Sequence, residues 1–382
     1  MRKDLSICRE GYVEVDVLIQ DVAKVRQYLD RYFFKFSDEI TGALIAILSR
    51  ENYIMIGPPG TAKTMLVASL SKLLRARWFY RLLTKFTELE EIIGPIDVME
   101  LLKGNLRRIY ANSIVEADVA LLDEIFNASS AILNTLLTIL NERAIFDGGT
   151  VVPVKTWTVF GASNRVPDEE ELQALYDRFP LRAFTKYASP EETEDLLKSG
   201  LALRQEFDQM SHLMTMEDIK GLNEYVNKMV YENRDVLVKH ISPLIAAYLD
   251  HVVISNRTRV KVPIYVMSYL TILGVRPSDL DASSIRAATI KILKYLVHDK
   301  EDLNEYEAFV ASHMPGNLSA VYDMINEIKA LIANNAVTIA REKLREAEEL
   351  LDKAYADPTL YKFFMTEMSE IRDALSMLRS QL

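Results

Sequence analysis

The residues best suited to chemistry in this chain stand close together in a few short stretches. Gly57-Pro58-Pro59-Gly60-Thr61-Ala62-Lys63-Thr64 gathers two glycines, a lysine and two hydroxyls behind the apolar run Tyr53-Ile54-Met55-Ile56 and ahead of a helical pattern. A strand, a glycine-containing loop and a helix start in that order are what a phosphate-binding loop requires. Glycine lets backbone N–H groups turn inward around phosphates, and the helix N-terminus adds the positive end of its dipole. Lys63 is expected to reach the β- and γ-phosphates of ATP, and the Thr64 hydroxyl to ligate Mg²⁺. Met65 completes the set expected against the nucleotide. Ala62 stands where the general pattern has glycine, which is harmless if the backbone there is already helical.

Further along, Val119-Ala120-Leu121-Leu122 ends in Asp123-Glu124. At the carboxyl end of a parallel strand this acidic pair converges on the same crevice as the phosphate loop. Asp123 would hold Mg²⁺ through water, and Glu124 would orient or deprotonate the attacking water. The next apolar strand, Thr158 to Ala162, leads through Ser163 to Asn164, whose amide could contact the γ-phosphate without changing the net charge. As a turn-forming residue Asn164 would be unremarked. Arg178, in Ala174-Leu175-Tyr176-Asp177-Arg178-Phe179, either complements a helix dipole or reaches a neighbouring subunit's ATP as an arginine finger. Arg257, with Arg259 close enough to be confused with it, opens a later apolar helix from which it could reach the phosphates.

The elements that must position these groups follow from periodicity. Buried strands alternating with helices, notably Thr64 to Leu74 and Ala131 to Glu142, predict a parallel sheet covered on both faces. Ser37-Asp38-Glu39 opens an amphipathic helix by its capping chemistry. Ahead of it, alternation over Tyr12 to Val17 predicts a strand, with a helix from about Asp21. Two hairpins interrupt the scheme. One pairs Arg143 to Phe146 with Val151 to Val154 across Asp147-Gly148-Gly149-Thr150; the other pairs Val98 to Leu102 with Leu106 to Tyr110 across Lys103-Gly104-Asn105. From Ser189-Pro190-Glu191 onward the pattern is helical, with Ser189 as cap and Pro190 in the first turn. After about Glu301, Leu318, Val321, Ile325, Ile328 and Ile332 recur at helical spacing, and breaks at Pro315-Gly316 and Asp357-Pro358 suggest an antiparallel helical hairpin.

Composition bounds the rest. A chain of 382 residues exceeds the roughly 100–200 of one domain, so two or three are expected. The formal charge of -10 argues against general attraction to nucleic acid or anionic lipid, although a local basic pore is compatible with it. Cys8 is the single cysteine and can close no internal disulfide, which fits a reducing compartment. The longest uncharged stretch, Val262 to Val275, is short of the ~18–20 residues of a spanning helix and reads as a buried helix. With no apolar run behind Met1-Arg2-Lys3, the expectation is a cytoplasmic protein without membrane insertion.

Taken in order, the phosphate loop, acidic pair, Asn164, Arg178 and a helical region bearing Arg257 resemble the AAA+ ATPases. More narrowly the chain resembles the MoxR family, especially its RavA-like members. Pro58-Pro59 and Ala62 in the loop, Gly94-Pro95-Ile96-Asp97 before a hairpin, Leu136 to Arg143 before the Asp147-Gly148 turn, and Asp177-Arg178-Phe179 are similar to that family's segments. The resemblance covers about residues 35–300. It implies an αβα nucleotide domain over 1–188 and an all-α lid over 189–300, and the helical spacing beyond them predicts an extension over 301–382. It also implies a homo-oligomeric ring, usually hexameric, with ATP and Mg²⁺ at subunit interfaces and Arg178 acting across them. A chaperone-like remodeller of protein clients, working with a von Willebrand A domain partner, is the implied function. The five histidines are scattered and suggest no further metal site. The rival is a nucleic-acid-stimulated motor, for which Lys103, Arg107 and Arg108 on the first hairpin would track phosphates. The acidic total and the lack of a recognisable nucleic-acid module weigh against it.

Overall fold

Uninterrupted apolar runs need cover on both faces, and helices between the strands supply it. The computed structural model describes residues 4–147, 149–276, 279–314, 316–333 and 337–381. It divides into two units, Met1–Asn233 with Met267–Arg276, and Arg234–Val266 with Pro277–Leu382.

In the first unit the strands are β1 (Tyr53–Ile56), β2 (Trp78–Leu82), β3 (Val119–Asp123), β4 (Ala144–Asp147), β5 (Thr150–Pro153), β6 (Thr158–Ser163) and β7 (Leu181–Phe184). Five of them form a parallel sheet in the order β2-β3-β6-β1-β7, while β4 and β5 pair as a separate antiparallel hairpin. Every residue of β1 and β6 is buried. Burying one such aliphatic or aromatic side chain stabilises the fold by about 1.5–3 kcal/mol relative to leaving it exposed. The helices are α1 (Asp4–Tyr32), α2 (Ser37–Ser49), α3 (Lys63–Leu73), α4 (Glu90–Ile93), α5 (Val98–Leu101), α6 (Ser130–Glu142), α7 (Glu170–Tyr176), α8 (Thr193–Gln209) and α9 (Met216–Glu232). This is an α/β fold built on a parallel sheet, as the sequence predicts.

Four sequence expectations need correction. Tyr12 to Val17 lie inside α1 and not in a strand. The helical spacing of Ile19, Val22, Val25 and Leu29, all buried, outweighs a short alternation. Ser37 does not cap α2: Phe36 holds the cap position, and the Ser37 hydroxyl donates to Asp30 Oδ1 at 2.6 Å. From Ile40 to Ser49 the helix is buried all round and is not amphipathic. The first hairpin is mostly absent, because Val98–Leu101 coil into α5, capped by the Asp97 carboxylate. Only the bridge between Ile96 and Arg108 remains of its ladder. Gly148 of the second turn lies outside the described residues.

β2 and β7 are strands that the sequence pattern does not announce. Both are edges of the sheet, and β2 leaves Trp78, Tyr80 and Leu82 exposed. Pro190 occupies the first turn of a short 3₁₀ segment, and Ser189 N–H donates to the Glu192 carboxylate at 2.8 Å. In this same unit α9 packs on α1 and α2, its Asn223 amide donating to the Leu48 carbonyl at 2.7 Å.

The second unit is helical among the described residues: α10 (Arg234–Tyr248), α11 (Asn256–Arg259), the start of α12 (Val262–Ile272), α13 (Ala282–Leu293), α14 (Lys300–His313), α15 (Gly316–Ala333), α16 (Val337–Ala356) and α17 (Pro358–Ser380). The C-terminal helices make a three-helix packing of α15, α16 and α17, one helix more than the expected hairpin. Leu318, Val321, Ile325 and Ile328 are buried in it, with Leu344 and Leu351 of α16. Lys291 of α13 and Glu367 of α17 form an ion pair, each 9% exposed, so the C-terminal helix is tied to the helix that precedes the extension. The uncharged run from Val262 forms α12 as expected, and no described helix is long and apolar enough to cross a membrane.

Candidate active site

Three adjacent strands, β3, β6 and β1, end on one side of the sheet, and the residues following each end carry the candidate chemistry. Beyond β1 the chain turns through Gly57 to Ala62 into α3. Gly57 N–H donates to Ser163 O at 3.0 Å, tying the loop to β6. A side chain at Gly57 would have its Cβ 2.3 Å from the Thr185 carbonyl oxygen, so only glycine fits this approach. Thr185, just beyond β7, also meets Thr61 hydroxyl to hydroxyl at 2.9 Å and donates its N–H to Ile56 O at 2.8 Å. Ala62 has φ 60° and ψ 15°, left-handed and not helical as its place beside Lys63 suggested. This is the conformation for which the general pattern uses glycine; alanine adopts it at a cost of about 1–2 kcal/mol.

Lys63 is 7% exposed, and its ammonium donates to the carbonyls of Gly57 at 2.7 Å and Pro58 at 2.9 Å. Burial lowers its pKa from the ordinary lysine value, and attraction to Asp123 and Glu124 partly offsets this. The cation is therefore poised against oxygen ligands inside the loop. Thr64 and Met65 follow in the first turn of α3, half-buried and exposed respectively.

At the end of β3, Glu124 N–H donates to Asp123 Oδ1 at 3.1 Å, and Tyr80 OH of β2 donates to Asp123 Oδ2 at 3.4 Å. Glu124 has φ 52°, a left-handed turn that directs the chain away from the strand axis. Asn164, one residue past β6, donates its amide N–H to Glu124 Oε1 at 2.5 Å, and Asn127 donates to Oε2 at 3.3 Å. Both carboxylate oxygens are thus held. Burial and the neighbouring Asp123 charge raise the Glu124 pKa, while Lys63 lowers it. A carboxylate raised in this way is a better proton acceptor than an ordinary glutamate. Lys63, Asp123, Glu124 and Asn164 are brought together at this end of the sheet. Thr185, Tyr80 and Asn127 were not foreseen. Tyr80 lies on edge strand β2 and Thr185 just past edge strand β7, neither with a clear pattern; the signal for Asn127 is its spacing of three from Glu124 on a helical turn.

The model of the MoxR domain in MoxR-vWA-beta-propeller ternary systems matches residues 20–224, more than half of the chain. The chain belongs to the MoxR family of AAA+ ATPases. An uncharacterized protein of Methanocaldococcus jannaschii is 31% identical over 75% of this chain and 72% of its own length. A second uncharacterized protein of that organism is 36% identical over 56% of this chain and 57% of its own. A structural protein of Acidianus two-tailed virus is 26% identical over 53% of this chain and 34% of its own length. The crystal structure of a proposed ATPase from Cytophaga hutchinsonii covers 82% of this chain and 98% of its own, with a TM-score of 0.59 and 18% identity, a likeness of fold alone.

In this MoxR-family chain Arg178 stands apart from the cluster. It follows α7 and precedes β7, at the amino ends of the strands, and its carbonyl accepts from the Asn52 amide at 3.0 Å. Asn52 immediately precedes β1, so the length of that strand and more, roughly 16 Å at about 3.3 Å per residue, separates Arg178 from Gly57. Among the described residues the Arg178 side chain, 20% exposed, makes one ion-pair contact, at 3.4 Å with the adjacent Asp177. Arg257 is exposed on α11 in the second unit, while the neighbouring Arg259 donates its Nε to the Ile254 carbonyl at 2.7 Å.

Proposed function

We propose that this MoxR-family chain hydrolyses ATP and works as a ring, hexameric by family resemblance, that remodels partner proteins. The observation that carries the catalytic reading is Glu124, held at one oxygen by Asn164 and at the other by Asn127, beside Asp123 and the Lys63 loop. Passive nucleotide binding does not require a fixed basic carboxylate there. The donor set fits Mg²⁺–ATP: a hydroxyl, Thr64, and a carboxylate, Asp123, are hard oxygen ligands. Bound Mg²⁺ would neutralise charge on the β- and γ-phosphates. Lys63 would exchange its carbonyl contacts for phosphate oxygens, and the loop N–H groups would bind the same phosphates. Glu124 would take a proton from the attacking water, with Asn164 fixing its orientation.

Arg178 lies too far from its own phosphate loop to serve it, which supports a role in trans on a neighbouring subunit. Arg257 is proposed as the lid residue that contacts the phosphates, because Arg259 is engaged with a backbone carbonyl. The von Willebrand A partner is proposed from the family's description.

Protein, not nucleic acid, is the proposed client. Of the three cations on the first insert, Lys103 pairs with Glu100 at 2.7 Å, and Arg108 is only 10% exposed and pairs with Asp147 at 3.1 Å. Around them Val98, Met99, Leu101, Leu102 and Leu106 are exposed. Such a surface offers two exposed cations, Lys103 and Arg107, to a phosphate backbone and a wider apolar area to an unfolded or apolar segment. The test is ATP turnover with single-stranded DNA, duplex DNA, RNA or a permanently unfolded reduced protein at two salt concentrations. We expect stimulation only by the protein. A several-fold rise with any polynucleotide, lost as salt increases, would reverse the choice.

A further inference from the structure

Asn52 stands between the Arg143 guanidinium and the backbone of Arg178, which the sequence gives no reason to connect. It is 3% exposed and is the last residue before β1. Its amide nitrogen donates to the Arg178 carbonyl at 3.0 Å. Its oxygen accepts from Arg143 Nη2 at 3.4 Å and from the Val159 backbone N–H of β6 at 3.4 Å. Arg143 is itself spread over backbone carbonyls, donating to Thr156 O at 3.2 Å and Arg50 O at 3.3 Å. One buried side chain therefore joins the start of β1, the flank of β6, the cation that closes α6 and the backbone of Arg178.

The other end of β1 is the phosphate loop. Immediately after Arg178, Phe179 is fully buried and packs beside Gly161 of β6, where an added Cβ would come within 3.2 Å of its ring. The Arg178 backbone is held on one side by Phe179 and on the other by Asn52. Among the described residues no other polar side chain bonds to that backbone.

We propose that Asn52 is the positioning residue for Arg178, setting the place from which the arginine is offered to the neighbouring subunit. The proposal rests on the reading of Arg178 as an arginine finger acting in trans. Through Asn52 one strand carries both halves of the hydrolytic apparatus, the phosphate loop for its own ATP at one end and the finger for the neighbour's ATP at the other. A misplacement of about 1 Å in a group aimed at a transition state can cost on the order of 10²-fold in rate. Asn52 itself touches no nucleotide in this account, so its loss should lower kcat and spare the ATP dissociation constant.

Two variants separate positioning from folding. Asn52→Ala removes every contact. Asn52→Asp keeps both acceptor bonds, and gives Arg143 a carboxylate, but cannot donate to the Arg178 carbonyl. We expect Asn52→Asp to retain the parent's melting temperature and ATP affinity while losing most turnover; parent-level kcat in this variant overturns the proposal. The deciding experiment mixes variants under conditions of verified subunit exchange. Asn52→Asp should regain turnover with Glu124→Gln, which supplies an intact Asn52 and Arg178 to the neighbour's intact Glu124. It should stay inactive with Arg178→Ala, because no interface then has a well-placed finger. The opposite pattern, rescue by Arg178→Ala and none by Glu124→Gln, would mean that Asn52 serves its own phosphate loop, and would sink the proposal. Mixing Arg178→Ala with Glu124→Gln is the control: if that pair fails to recover, the trans reading of Arg178 falls, whereas recovery there with the opposite pattern for Asn52 removes only the present inference.

Discussion

At the residue scale the site is defined by how one carboxylate is kept basic and still. Burial and the Asp123 charge raise the Glu124 pKa, and the Asn164 amide donates to its ionised form. Hydrogen bonds to a carboxylate favour its charged form, so removing the donor raises the pKa further. The acid limb of the pH–kcat profile should therefore lie above the ordinary glutamate range and move to higher pH in Asn164→Ala, where turnover at neutral pH should also fall by about 10²-fold or less. A limb that stays in place would assign the profile to some other group. Ala62 shows the same economy of means. The sequence marked it as a departure from glycine, but a one-letter pattern does not reveal that the residue must turn left-handed at φ 60°. Lys63, Asp123, Glu124 and Asn164 were legible because each terminates a strand or loop with a recognisable pattern. Asn52, Thr185 and Tyr80 were not, because their roles are made by partners distant in the chain.

At the element scale the two inserts behave as one piece. Asp147, at the end of β4, accepts from Arg108 Nε at 3.1 Å and from Tyr110 OH at 3.1 Å, and Arg108 Nη1 donates to the Gly94 carbonyl at 3.1 Å. Arg108 and Asp147 are each about 10% exposed at the side chain. Removing one partner of a fully buried pair costs about 3–5 kcal/mol, but Arg108 keeps a second carboxylate, Glu90, at 3.4 Å. Asp147→Ala should accordingly lower unfolding stability by less than that, about 2 kcal/mol in denaturant melts, and Asp147→Asn by less again because it can still accept hydrogen bonds. A change within 0.5 kcal/mol, of the size typical for surface sites, would show that the inserts are not latched there. Much of this layer was readable. β1, β3 and β6 are buried apolar runs ending in polar residues, and the β4–β5 hairpin brackets a glycine-containing turn. The edge strands escaped because β2 is half-exposed and aromatic, and Leu181-Arg182-Ala183-Phe184 alternates over too few positions. α1 is helical where alternation predicts a strand because six alternating residues cannot outvote a helical face that continues to Leu29. Insert residues Val98–Leu101 coil because Asp97 caps them, a contact that competes locally with strand pairing.

At the scale of the whole molecule the account makes hydrolysis a property of the assembly. Arg178 is held by Asn52 at the end of β1 opposite the phosphate loop. An arginine finger contributes on the order of 10³–10⁵ in rate. Specific activity should therefore rise with protein concentration until rings form, and the Arg178→Ala protein should stay slow at every concentration while binding ATP. A dilute monomer as active as the concentrated protein would confine Arg178 to capping its own helix. The central claim, that Glu124 in the Lys63–Asp123–Asn164 cluster turns a nucleotide site into a hydrolase, is tested most directly by measuring ATP binding and turnover together in the parent chain and in Glu124→Gln. An amide keeps the shape of the carboxylate but cannot take a proton from water. ATP affinity should be equal in the two proteins and turnover reduced by about 10²-fold or more in the variant. Parent-level turnover in Glu124→Gln would contradict the claim.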